Sequence, residues 1–378
     1  MRRALLLLVL AIVPGMVRAQ SSQFGLRGLG FPGRALSTHA IGSGGAFGLF
    51  DAESSGNPAA LIGVSTVTAV FTGSQSFRHE ENPAGTGSVR DTRFPHFMVV
   101  GPARQGRAAL GLSYSNYTSR DFTIASTGTI DLRGVPVGVS DSLLARGGLN
   151  DLRVGGAVRL QGWTVGLGLH VISGSNRLVS RRVFADTVHY LSSRQQSELS
   201  YAGVGLSVGL MRQFGQNFGV AAIARSDGHL NKDRDSTRIG TVDLPFTLGL
   251  GMHWRPSSQL DLGGQAVVRT WSAANSDLLA QGGLGAENTF EVAAGAEFTP
   301  DPKRPFRRPL RLGAHYARLP FPLVADVQGH EFGVSAGSGL RFAQQRAGVD
   351  LALEHVWRSE GPYSERGFIL SLGITVRP

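Results

Sequence analysis

The sequence predicts an all-β membrane protein: an antiparallel outer-membrane β-barrel of about fourteen strands with an N-terminal hatch at its periplasmic, luminal side. Three observations lead there. Arg366 to Arg377 alternates without a break, with Phe368, Leu370, Leu372, Ile374 and Val376 on one face and Ser371, Gly373, Thr375 and Arg377 on the other. That period puts large apolar groups on one side of a strand and small or polar ones on the other, over a length that crosses a bilayer at a tilt. The same alternation fills most of the chain upstream, and the connections between alternating segments are short and long by turns.

Taken in order, Met1 to Ala19 has the parts of a secretory signal: Arg2 and Arg3, an apolar run from Ala4 to Val13, and Val17-Arg18-Ala19 as a cleavage site that leaves Gln20 first. The domain division is therefore 1–19 signal peptide, 20–61 hatch or plug, and 62–378 barrel. The run is too short to span a bilayer as a helix, and nothing later approaches the required length. Residues 20–61 are Gly- and Ser-rich without a sustained period. Gly28-Leu-Gly30-Phe-Pro-Gly33 matches a dinucleotide-binding pattern, but no strand precedes it and Pro32 interrupts the helix that should begin there.

Alternating segments fall at 64–77, 93–101, 107–120, 151–160, 163–177, 198–212, 217–226, 240–254, 258–271, 288–298, 309–319, 329–342, 347–358 and 366–377. Short turns such as Gln161-Gly162 and Pro256-Ser-Ser258 alternate with longer links at 78–92, 121–150, 178–197, 227–239 and 272–287. Barrels of this class keep short turns in the periplasm and long loops outside. The basic link Thr299 to Pro309, with Lys303, Arg304, Arg307 and Arg308, falls on the periplasmic side.

Charge assigns the faces. Leu351 and Leu353 oppose Asp350 and Glu354, while Phe290 and Val292 oppose Glu291 and Glu297. An arginine in mid-membrane costs about 2–4 kcal/mol and a carboxylate less, so the charged faces belong in the lumen. The luminal set is Arg153, Arg159, Arg269, Arg311 and Arg341 against Asp261, Glu291, Glu297, Asp350 and Glu354. Its near balance suits an ion-pair network more than a strongly ion-selective pore. Aromatic residues sort by depth: Trp163, Phe218, Trp254, Phe298 and Phe342 near periplasmic ends, and Phe246, Phe290, Tyr316, Trp357 and Phe368 near outer ends, as two interfacial girdles.

Composition agrees. Glycine supplies 52 of 378 residues and lies within the alternating segments, where it suits a crowded inner wall. No cysteine is present, which excludes a disulfide scaffold and a lipoprotein anchor. The formal charge of +10 drops to +7 without the signal peptide and is spread along the chain, so nucleic acid is not an expected partner. Outer-membrane lipid and anionic lipopolysaccharide are.

Gly205-Leu-Ser207-Val-Gly209 and Gly333-Val-Ser335-Ala-Gly337 match the nucleophile-elbow pattern, yet both lie in mid-strand instead of at a strand-to-helix turn. No catalytic residue is assigned, and no enzymatic activity is expected. The histidines show no metal-ligand spacing, and no metal or other cofactor is expected; His170, His253 and His315 read as hydrogen-bonded lumen groups. Two outer links are apolar: one carries Leu143 and Leu144, the other Phe321 and Leu323, and these four are candidate contacts for a hydrophobic small molecule.

Asn57-Pro58-Ala59, just before the first strand, resembles the Asn-Pro-Ala motif of the FadL-type long-chain fatty-acid transporters and the related PorV-like barrels. The likeness extends in outline to the whole mature chain. It implies a fourteen-stranded barrel with its N-terminal segment inside. For one branch it implies uptake of small hydrophobic, fatty-acid-like molecules. For the other it implies a secretion-associated role with partner proteins; a general porin is the further alternative. The ending Val376-Arg377-Pro378 departs from the terminal aromatic residue by which insertion machinery, the remaining expected partner, recognises such barrels.

Overall fold

The computed structural model describes residues 22–235, 237–301 and 307–378. The signal peptide, with its cleavage site, and Lys303 and Arg304 of the basic link lie outside the described residues. Among those described, fourteen antiparallel strands close on themselves: β1 Thr68–Asn82, β2 Gly85–Ala103, β3 Ala108–Ser119, β4 Val135–Leu160, β5 Trp163–Phe184, β6 Ser193–Phe214, β7 Phe218–Ser226, β8 Phe246–Trp254, β9 Leu260–Arg269, β10 Thr289–Phe298, β11 Arg307–Arg318, β12 His330–Phe342, β13 Ala347–Glu360 and β14 Tyr363–Val376. Closure is made by β14 on β1, in a register running from Ser364 opposite Glu81 to Val376 opposite Ala69. Closing the sheet leaves no unpaired edge. No helix among the described residues is long and apolar enough to cross a membrane.

The two faces differ as charge predicts. Leu167, Leu248, Leu250, Leu351 and Leu370 point outward and are exposed, whereas His170, Asp151, Glu291, Arg311 and Asp350 point inward and are buried. Rings collect at both ends of the outward face: Arg212 lies between Trp163 and Phe214 at the short-turn end, and Phe290–Tyr316 and Phe332–Trp357 pair at the other.

Four links expected as loops, 78–92, 121–150, 178–197 and 227–239, are largely strand: β1 runs to Asn82 and β2 starts at Gly85, while β5 runs to Phe184 and β6 starts at Ser193. Phe122–Leu132 pairs with the upper part of β4 from Ala145 to Val135, and His229–Arg234 pairs with both Thr237–Asp243 and β6. The apolar residues of 121–150 thus sit on an extension of the wall in which Phe122–Leu132 and the upper parts of β4, β5 and β6 stay paired, so their backbone groups bond each other. The link at 272–287 forms a 3-10 turn at Trp271–Ala274 and the helix α2, Asn275–Ala280.

Inside lies the N-terminal segment. It includes a short helix, α1 at Thr38–Gly42, which packs on the inner faces of β11 to β14, and a 3-10 helix at Pro58–Gly63 on the opposite wall, β2 to β6. The neighbours of α1 in space are hundreds of residues away in sequence. A core of Leu29, Trp271, Phe321, Leu149, Tyr201 and Leu244, among others, covers it at the long-loop mouth.

Candidate functional site

Asn57 anchors the plug. Its side-chain Oδ1 accepts from the Ala59 amide at 3.0 Å, capping the 3-10 helix, while its Nδ2 donates to the Leu49 carbonyl at 2.9 Å. Pro58 takes the first helical position, where a missing N–H costs nothing. This turn is pressed on the wall at two glycines. A Cβ on Gly166 of β5 would sit 2.3 Å from the Pro58 carbonyl carbon, and one on Gly209 of β6 would sit 1.9 Å from Asn57 Oδ1. The inward glycines therefore form the seat of the Asn57-Pro58-Ala59 motif.

Ion pairs hold the other side. Arg34 bonds Glu354 at 2.8 Å and lies 3.6 Å from Glu291, which also takes Arg269 at 3.3 Å. His39 on α1 bonds Glu297 at 2.8 Å, and Arg311 links Glu297 at 2.7 Å to Asp350 at 2.8 Å. Asp350 is shared with Arg341 at 2.5 Å, and Glu53 bonds Arg377 at 3.0 Å and Thr375 at 3.1 Å. Of these groups His39, Glu53, Glu297, Arg311, Arg341, Asp350 and Arg377 line an open vestibule of about 630 Å³ at the short-turn mouth. Burial and Arg311 work against a charged His39, but Glu297 and Asp51 outweigh them and its pKa is raised. Burial and neighbouring Asp51 raise that of Glu53, against the pull of Arg341.

Most of the predicted luminal charges thus converge, and the plug supplies a partner to Glu291, Glu297, Arg341 and Glu354. Arg153 is buried and donates to the Ser55 carbonyl. Two stand apart from the plug: Asp261 pairs with Arg255 at 2.7 Å and His253 at 3.3 Å near a short turn, and Arg159 is exposed at the rim. Sequence reasoning missed Arg34, His39, Asp51 and Glu53. Their charge in an otherwise Gly- and Ser-rich stretch was the available signal.

The four apolar loop residues are not brought together. Phe321 is 1% exposed, edge-on to Trp271 at 5.0 Å, and Leu323 packs with Phe24 and Leu319. Both belong to the lid over the plug, because the Pro-containing link folds inward and Pro320 accepts a bond from the Glu287 amide. Leu143 and Leu144 lie on the wall extension, where Leu143 is exposed beside Ile124.

The three lumen histidines are all hydrogen-bonded. His170 Nε2 is 2.8 Å from Ser207 Oγ, and its Nδ1 is 3.0 Å from Asp151. These are the partners of an acyl-transfer triad, but Ser207 is 2% exposed on a strand whose amides serve the ladder. A nucleophile needs a substrate space and free oxyanion donors; this chain of bonds ends instead on Arg225, 2.7 Å from Asp151.

Between plug and lid lies a cavity of about 130 Å³. One wall is apolar, with Leu36, Leu49, Ile223, Val267 and Trp271, and Trp271 Nε1 is buried without a hydrogen-bond partner among the described residues. The other wall carries charges that neutralise one another, Arg225 with Asp151 and Asp227, and Arg269 with Glu291.

These features define a class: a closed outer-membrane-type barrel whose lumen is occupied by the chain's own N-terminal segment. Its fold is that of the FadL-type barrels. The structure superposes on a FadL homologue of Pseudomonas aeruginosa with a TM-score of 0.63 at 14% identity, over 92% of this chain and 99% of that one. The Ralstonia pickettii toluene transporter TbuX gives 0.56 at 15% identity, over 91% and 98%, and the Pseudomonas putida toluene transporter TodX gives 0.58 at 11%, over 92% and 99%. No protein-family model and no curated protein matches the sequence. The likeness is one of fold.

Proposed function

We propose that this chain is an outer-membrane channel for compact hydrophobic molecules, gated by its N-terminal segment. The observation that carries the reading is the cavity of about 130 Å³ between plug and lid, with Ile223, Val267, Leu36 and Trp271 on its apolar side. An apolar cavity of about 150 Å³ in another protein accepts one benzene. A single-ring solute matches that scale, whereas an extended acyl chain fits only if the plug moves. Two of the structural neighbours are described as toluene transporters, which agrees with this size class.

The test uses bacteria deprived of other hydrophobic-solute channels. Expression should speed uptake of radiolabelled toluene, and Ile223→Trp, which fills the cavity, should remove most of that gain while the barrel still assembles. Palmitate uptake should change little. No gain with either solute, or a gain with palmitate alone, overturns the reading; a polypeptide co-purifying from native membranes would then favour the secretion-associated role.

A further inference from the structure

We infer that the outward face of β13, β14, β1 and β2, near the long-loop end, is a binding site for a phosphorylated, multiply acylated glycolipid of the lipid A type. The inference rests on the outer-membrane reading above, which cell fractionation tests separately.

Strand register assembles the site from residues distant in sequence. One row across the four strands is Trp357, Arg366, His79 and Ser88, and the next row towards mid-membrane is His355, Phe368, Phe77 and Arg90. All eight share the outward face because each strand contributes residues two apart. They line a shallow concavity of about 570 Å³. Its floor is aromatic: His355 lies 4.2 Å from Phe368 and 4.1 Å, edge-on, from Trp357.

Height places the floor at the interface. Val376 shares its row with Ala347, which in turn is paired with Phe342 of the short-turn girdle. Ten residues separate Val376 from Arg366. At about 3.3 Å per residue and a tilt near 40° they rise roughly 25 Å, the height of the apolar band of such barrels. Arg366 therefore stands at the headgroup level, and Arg90 one row below can extend its guanidinium to the same level.

Charge selects the ligand. Arg366 and Arg90 are exposed, and among the described residues neither has an ion-pair partner; Arg90 lies over the Phe77 ring at 5.5 Å. Inner-face arginines are treated differently: Arg311, Arg341 and Arg358 all pair with carboxylates. Among the described residues His355 Nδ1 is buried without a hydrogen-bond partner, and His79, its Nδ1 3.5 Å from Ser88 Oγ, stands beside Arg366 in the upper row. The acid on this face, Glu81, is one row farther out and takes a bond from Ser364 at 3.5 Å. Two guanidiniums in a shallow, partly dehydrated cradle match a phosphate, which accepts paired N–H donors.

The rows beneath suit the rest of the molecule. Leu353 with Leu370, Leu351 with Leu372, and Val349 with Ile374 form an apolar track running down from the cradle. Acyl chains lying along that track would keep the headgroup phosphate at Arg366 and Arg90.

Native mass spectrometry of the detergent-solubilised barrel with bisphosphorylated lipid A tests the site. The parent should retain one lipid, and the double variant Arg90→Gln/Arg366→Gln should bind it at least about tenfold more weakly. Arg366→Lys, which keeps the charge but loses the planar fork, should fall between them. Arg212→Gln, in the other girdle, should match the parent, and heat-modified migration monitors folding of every variant. Dephosphorylated lipid A should not be retained. Equal retention by the double variant, or equal retention of the dephosphorylated lipid or of phosphatidylglycerol by the parent, overturns the assignment.

Discussion

Glu53 and Arg377 join the plug to the wall across 324 residues of sequence, with Arg377 Nη2 donating to Glu53 Oε1 at 3.0 Å. Arg377 also reaches the Gln345 carbonyl at 3.2 Å, in the turn between β12 and β13. The short-turn mouth is thus held by a bond between the first and last parts of the structure, at the edge of the vestibule.

Arg377→Ala should loosen that mouth without unfolding the barrel. The pair is partly exposed, so its worth is about 1 kcal/mol, or roughly fivefold in the population with the plug unlatched. Single-channel recordings in planar bilayers should show more frequent openings for the variant. Unchanged recordings would place the resistance to flow elsewhere, at the lid of Trp271 and Phe321.

Plug seating should weaken as pH rises. His39 has its pKa raised above 6.5, so the stability it contributes is complete below that value and is lost as pH climbs through the higher folded value. Glu53, raised above 4.5, acts in the same direction, because burial and then neighbouring Asp51 disfavour its ionisation. The charged groups facing His39 are Glu297, Asp51 and Arg311, with Glu53 and Asp350 nearby, so losing the imidazolium proton leaves an acidic cluster less compensated. Conductance should increase from about pH 6 to about pH 9, and His39→Gln should flatten the profile. A profile identical in parent and variant would discount His39 as its source.

Two neighbours on β5 separate the roles of the two faces. Leu167 is 62% exposed on the outward face, while Gly166 lies beneath Pro58. Leu167→Arg should reduce assembly into lipid vesicles, at a cost of about 2–4 kcal/mol if the position is near mid-membrane. Gly166→Leu should assemble but displace the Asn57 turn, which protease cleavage within residues 50–63 would report. Similar assembly yields and cleavage patterns for the two would mean that inside and outside are misassigned.

Alternation along β8, β13 and β14 was legible in the sequence because a strand's period follows from local backbone geometry, and lipid and lumen impose opposite demands on the two faces. The Asn57 motif was legible for a similar reason: a cap and a proline at the first helical position form a local unit. What those units touch was decided only by tertiary structure. Arg34 meets Glu354, Glu53 meets Arg377, and Asn57 meets Gly209 through closure of the barrel around an aperiodic segment, and period-two alternation carries no information about such a segment. Phe321 shows the same division. Its apolar character was plain, but burial against Trp271 instead of exposure to a ligand depended on the inward fold of its loop. The paired rows at Arg366 and Arg90 likewise exist only once β14 bonds to β1, because register, not sequence distance, sets which side chains share a face.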